Sequence, residues 1–118
     1  MSPRTAGWVA DILRDAERAR QFVGTLSPEE LGRDQVRLYG TLHALTLIGE
    51  ASKRIPIDLR RQFPQIPWKA MAGLRDVIIH QYDELDLAAI HRTVTLDCQM
   101  LIEQLPRVLQ ALKGSTAD

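Results

Sequence analysis

Apolar residues recur at three- and four-residue steps along most of this chain, the spacing that lines one face of an α-helix. The first run is Trp8, Ile12, Ala16, Ala19, Val23 and Leu26. Ser27-Pro28-Glu29-Glu30 then forms a capping-box pattern with Pro at the first helical position, opening a short helix that breaks around Gly32. Asp34 is placed to cap a second long helix, through Val36, Tyr39, Leu42, Leu45 and Ile48 to about Arg54. Gly40 and Gly49 lie inside that helix. Each costs about 1 kcal/mol relative to Ala, and close helix–helix approach is the expected compensation. Pro56, Pro64 and Pro67 punctuate the middle, where Ile57 to Phe63 fits one or two turns with Asp58 to Arg61 as its polar face. Pro67 opens a third main helix through Trp68, Met71, Leu74 and Ile78 to about Gln81. After the acidic turn Asp83-Glu84-Leu85-Asp86, Asp86 caps the last long helix, Leu87 to about Lys113, which Pro106 should kink or end near Leu105. Gly114 to Asp118 reads as a frayed tail. No segment alternates with the period of a strand. The expected fold is therefore all-α: one bundle of four to five helices, with short connecting turns.

Length and composition narrow this picture. The 118 residues make one domain, 1–118, with its core over about 8–112. Lys plus Arg and Asp plus Glu both number 15, so net charge is zero. This weighs against a nonspecific duplex-DNA binder, which needs a large positive field, and leaves room for a small local phosphate site. The one cysteine, Cys98, cannot form an internal disulfide and lies among Leu96, Met100 and Leu101 as a small core residue. No apolar run approaches the roughly 20 residues of a membrane span. The N-terminus lacks the apolar region of a signal peptide, so the cytoplasm is the expected location.

The densest chemistry lies in Arg75-Asp76-Val77-Ile78-Ile79-His80-Gln81-Tyr82. A guanidinium, a carboxylate, an imidazole and a phenol fall within eight residues, separated by aliphatic ones. Arg, His and a carboxylate make up a minimum set for cleaving RNA without a metal: the Arg stabilises phosphate charge and the His moves a proton. On an ideal helix Asp76 and His80 are neighbours one turn apart, and Arg75 and Tyr82 fall nearly on one line. Arg75 and His80 are about 140° apart by the same geometry. They meet at one phosphate if the Arg stem swings across, if the helix loosens, or if two copies combine their groups across a two-fold axis. Each residue also has a purely structural reading. Arg75 could pair with Glu50 or Asp83, Asp76 with Lys69, His80 could be a core or interface histidine, and Tyr82 a helix-end anchor. His43, His80 and His91 are far apart in sequence, and no H-x-x-x-H or C-x-x-C spacing is present. No metal or other cofactor is expected.

Arg75-x4-His80-x-Tyr82 resembles the R-x4-6-H-x-Y signature of HepT-like proteins, within the larger HEPN group. Leu47-Ile48-Gly49-Glu50-Ala51-Ser52-Lys53-Arg54 resembles the family's IGEA segment, and Phe63-Pro64-Gln65-Ile66-Pro67-Trp68 its YPEIPW entry into the signature helix. Asp86-Leu87 and the helix after it are similar to its C-terminal part. Three ordered motifs at compatible spacing are specific in a way that the short signature alone is not. One departure is visible: Asp76 stands where the family often has Asn. An acid there repels phosphate and favours the imidazolium form of His80.

The resemblance implies a HEPN-like bundle and the toxin half of a toxin–antitoxin pair; the amphipathic stripes and the separation of Arg75 and His80 point to a two-fold homodimer with the helix from Pro67 to about Gln81 lining a cleft at the interface. It implies a metal-independent endoribonuclease in which the ribose 2′-hydroxyl attacks the adjacent phosphate. His80 would act as general acid or base, Arg75 would bind the phosphoryl oxygens, and Asp76 would orient or polarise the site. The implied partners are RNA and an MNT-type nucleotidyltransferase antitoxin, which transfers AMP to Tyr82. Two other readings stay open: a noncatalytic helical module that docks a nucleotidyltransferase or binds nucleotide, and a structural bundle whose polar cluster only fixes dimer register.

Overall fold

A computed structural model of the chain describes residues 3–74 and 85–116. Among these the architecture is all-α, with no strand. No helix among them is long and apolar enough to cross a membrane. Helix α1 spans Pro3–Val23. Its Val9, Ile12, Ala16, Ala19 and Val23 are fully buried, at the three- and four-residue spacing expected of one face. That face packs against α3 (Gln35–Lys53) and α7 (Gln99–Thr116). Gly24 ends α1 at φ +53°, a backbone region glycine enters without penalty, and its amide donates to Arg20 O at 2.8 Å.

The capping signals act as read. In α2 (Pro28–Arg33) the Glu30 amide donates to Ser27 Oγ at 3.1 Å, and the Ser27 amide donates to Glu30 Oε1 at 3.0 Å. The Ser27 amide first, and then the Ser27 hydroxyl, hold the Glu30 carboxyl below its ordinary value. The box is therefore complete at neutral pH and weakens in acid. Asp34 caps α3 by accepting from the Arg37 amide at 3.1 Å.

Helix α3 departs from the expected stripe. Val36 and Tyr39 were expected to face the core, but they are 78% and 59% exposed. The buried set is Leu38, Leu42, Ala44, Leu45, Ile48 and Ala51, with Thr41 and Ser52. The cause is that α3 is apolar around much of its circumference and contacts α1, α2 and α5 (Trp68–Ala72) on different sides. Periodicity alone leaves the rotation of such a helix undetermined. The glycine reading fares better: a Cβ on Gly40 would lie 2.5 Å from the Phe22 ring, so α1 and α3 approach closely there. Gly49 is buried.

Helix α4 (Ile57–Gln62) and α5 follow the prolines. The single helix expected from Pro67 to Gln81 is interrupted within its described part. Helix α5 closes at Ala72, where the Gly73 amide bonds back to Lys69 O and Ala70 O at 3.2 Å each, and Leu74 is helical again. The remainder of that expected helix lies outside the described residues.

Asp86 caps α6 (Leu87–Arg92) by accepting from the Ala89 amide at 3.0 Å. The last long helix is not uniform. Thr93–Cys98 is π-helical, burying Val94 and Cys98 and leaving Leu96 62% exposed. Nothing in the spacing of apolar residues announced that widening. Helix α7 then continues through Pro106 to Thr116, so the stop expected near Leu105 does not occur. Pro106 lies on the exposed side, where water can hydrate the carbonyl that loses its donor. Leu101, Leu105, Val108 and Leu112, all buried, hold the helix against the core on both sides of the proline.

Candidate active site

The segment carrying Arg75, Asp76, His80 and Tyr82 lies outside the described residues, as do Asp83 and Glu84. Its two flanks are described, and both are anchored. Upstream, Ile66, Trp68 and Met71 are buried, and the Trp68 indole donates to Phe63 O at 2.9 Å. Downstream, Leu85 and Leu87 pack partly buried against the core. Leu87 sits where a Cβ on Gly32 would collide with it, so α2 and α6 are tightly apposed. His91 reinforces that flank by donating from Nε2 to Leu26 O at 2.8 Å, tying α6 to the turn after α1.

The second and third sequence motifs are brought together. Residues 47–54 close α3, residues 63–68 lead into α5, and the two helices pack on each other. Arg60 fixes the intervening corner. Its Nε donates to Ile55 O at 3.0 Å and an Nη donates to Ser52 O at 2.7 Å, satisfying carbonyls at the C-terminal end of α3. This role was missed in the sequence, where Arg60 counted as part of a polar face. No sequence signal marks it, because both acceptors are main-chain carbonyls.

A small apolar cavity lies between these elements, lined by Ile48, Pro67, Met71, Leu74, Cys98 and Leu101 among others. Leu74, the residue before Arg75, therefore lines the same cavity as Cys98 of the π-helical stretch. Cys98 is 1% exposed. Burial, and secondarily the neighbouring Asp97, push its thiol from an ordinary 9.0 up to about 12. Two outcomes follow. Folded protein should react with iodoacetamide at mildly alkaline pH about 10³-fold more slowly than unfolded protein, since the thiolate is the nucleophile. Stability should also fall as pH rises from 9.0 toward about 12, because the unfolded chain gives up the proton first. Equal labelling rates in water and in denaturant would show that the thiol is not sealed.

Of the other candidate ligands, His43 is exposed on α3, in a groove it shares with Asp15 and Arg18. Asp15 is buried and paired with Arg14 at 3.3 Å and Arg18 at 3.5 Å. Among the described residues no group of three His, Cys, Asp or Glu side chains could share a metal ion.

Comparison with known proteins gives a consistent result. The sequence model of the family described as Ribonuclease HepT-like matches residues 12–108. The chain is 36% identical over 94 residues to "Probable ribonuclease HepT" of Thermococcus cleftensis, covering 80% of this chain and 86% of that protein. It is 31% identical over 104 residues to "Putative RNase MJ1216" of Methanocaldococcus jannaschii, covering 88% and 86%. It is 31% identical over 106 residues to "Putative RNase TTE0752" of Caldanaerobacter subterraneus subsp. tengcongensis, covering 90% and 95%. No solved structure matches it.

Proposed function

The chain belongs to the HepT-like ribonuclease family, and on that premise we propose that it is a metal-independent endoribonuclease, the toxin of a toxin–antitoxin pair. The observation that carries this reading is the family match over 12–108, which spans Arg75-x4-His80-x-Tyr82 in an all-α chain.

In the proposed reaction the ribose 2′-oxygen attacks the adjacent phosphorus and the bond to the 5′-oxygen breaks. His80 takes the 2′-hydroxyl proton or supplies one to the departing oxygen. Arg75 holds the phosphoryl oxygens while their charge grows. Asp76 orients the imidazole and favours its protonated form. The angular separation that Arg75 and His80 would have on an ideal helix supports a two-fold homodimer whose site is shared between chains. Neutralisation is assigned to a nucleotidyltransferase antitoxin that adenylylates Tyr82.

The test is incubation of purified protein with single-stranded RNA in excess EDTA. Cleavage should persist and leave 2′,3′-cyclic phosphate and 5′-hydroxyl ends. Cleavage that stops on chelation and returns with a divalent ion would overturn the metal-free mechanism. No cleavage of any RNA, together with tight binding of a nucleotidyltransferase, would favour the noncatalytic module.

A further inference from the structure

Charge is not spread evenly over this neutral chain. From residue 53 to residue 69 stand Lys53, Arg54, Arg60, Arg61 and Lys69, against one acid, Asp58. With 15 residues of each sign overall, that corner is positive and the rest of the chain is negative. Arg60 is committed to main-chain carbonyls of the corner itself. Arg54, Arg61 and Lys69 are exposed, and among the described residues none of the three side chains makes a hydrogen bond or ion pair. Some cations elsewhere are paired: Arg14, Arg18 and Arg37 each with an aspartate.

The main chain beneath the three free cations is fixed. Arg54 caps α3 and precedes Ile55, whose carbonyl accepts from Arg60, the neighbour of Arg61. Phe63, two residues after Arg61, accepts from the Trp68 indole, and Lys69 follows Trp68. Each of the three thus stands within two residues of a bond that ties one element of the corner to the next. Helix α5 leaves this corner and is followed by Gly73, Leu74 and then Arg75.

We infer that Arg54, Arg61 and Lys69 form a phosphate-binding surface that holds single-stranded RNA beside the scissile bond. The inference rests on the ribonuclease reading above. Guanidinium forks and an ammonium suit phosphate oxygens. Such contacts position a strand without reading its sequence. A neutral protein needs a local concentration of positive charge to do this, and the corner supplies it.

The test measures binding of full-length protein to a single-stranded oligonucleotide made uncleavable by 2′-O-methylation, by fluorescence anisotropy across a range of KCl. Each phosphate contact on a single strand contributes about −0.7 to the slope of log K against log salt. The triple variant Arg54→Gln, Arg61→Gln, Lys69→Gln should flatten the slope by about 2, and Asp58→Lys should steepen it by up to about 0.7. A control that removes three exposed cations elsewhere, Arg33→Gln, Arg92→Gln and Arg107→Gln, should keep the wild-type slope. A wild-type slope in the corner variant, or equal flattening in the control, overturns the surface. So does loss of nucleotidyltransferase binding with the RNA slope unchanged, which assigns the corner to a protein partner. Failure of the ribonuclease reading looks different: wild type then cleaves no RNA, whatever the slopes.

Discussion

Alanine at His80 or at Arg75 should each lower RNA cleavage by about 10²-fold or more, the usual scale for removing a general acid–base or a stabiliser of developing charge. In cells, expression of wild type should arrest growth and expression of His80→Ala should not. Full cleavage by His80→Ala would sink the mechanism. The two inactive variants also report where the site is assembled. If Arg75 and His80 act from different chains of a dimer, mixing and re-equilibrating the variants creates mixed dimers with one intact site. About a quarter of wild-type activity should then return, because half the dimers are mixed and each keeps one of two sites. If both residues act from one chain, no activity returns, and the shared-site dimer is wrong.

Tyr82→Phe should abolish adenylylation while leaving nuclease activity, unless the hydroxyl itself contacts RNA. In the proposed transfer the phenol oxygen bonds to the α-phosphorus of ATP and pyrophosphate leaves. A tyrosine phenol normally titrates near pH 10, so the transferase must supply a base or metal to take its proton. The added group carries negative charge and bulk beside the residues assigned to the scissile phosphate, so it blocks RNA by repulsion and volume. Intact mass after co-expression with the cognate transferase decides the matter: wild type should gain one or more AMP units and Tyr82→Phe none. The control is built into the chain. Tyr39 is the other tyrosine and is 59% exposed, so it is physically available to a transferase. Equal gain by wild type and Tyr82→Phe would move the modification to Tyr39 or beyond, and the role given to Tyr82 would be wrong.

The helices were legible where local chemistry decides them. Ser27, Asp34 and Asp86 announced their caps because a side-chain oxygen two or three residues before an amide needs no tertiary partner. The stripe of α1 was legible because it has one buried face. Val36 and Tyr39 were misread because the rotation of α3 is set by three neighbours that sequence spacing does not reveal. The stop expected at Pro106 does not occur because the packing of Leu105 and Val108 outweighs one missing hydrogen bond on an exposed face. Of the candidate site, the motifs at 47–54 and 63–68 do come together, but the inward turn of Arg60 was invisible while its acceptors were backbone carbonyls.

The two flanks of the candidate active segment are closed over very different distances along the chain. The bonds that fasten the α3–α4–α5 corner link residues no more than eight apart: Arg60 to Ser52 and Ile55, and Trp68 to Phe63. The bond that fastens α6, His91 to Leu26, links residues 65 apart. Short loops close fast and at little entropic cost, long ones later. A chain emerging from the ribosome can therefore set the upstream flank before α6 has been made, whereas the downstream flank waits for the C-terminal third to find α1. For a protein read as cleaving RNA, this order makes the downstream flank of the reactive segment the later of the two to be fixed as the chain is made.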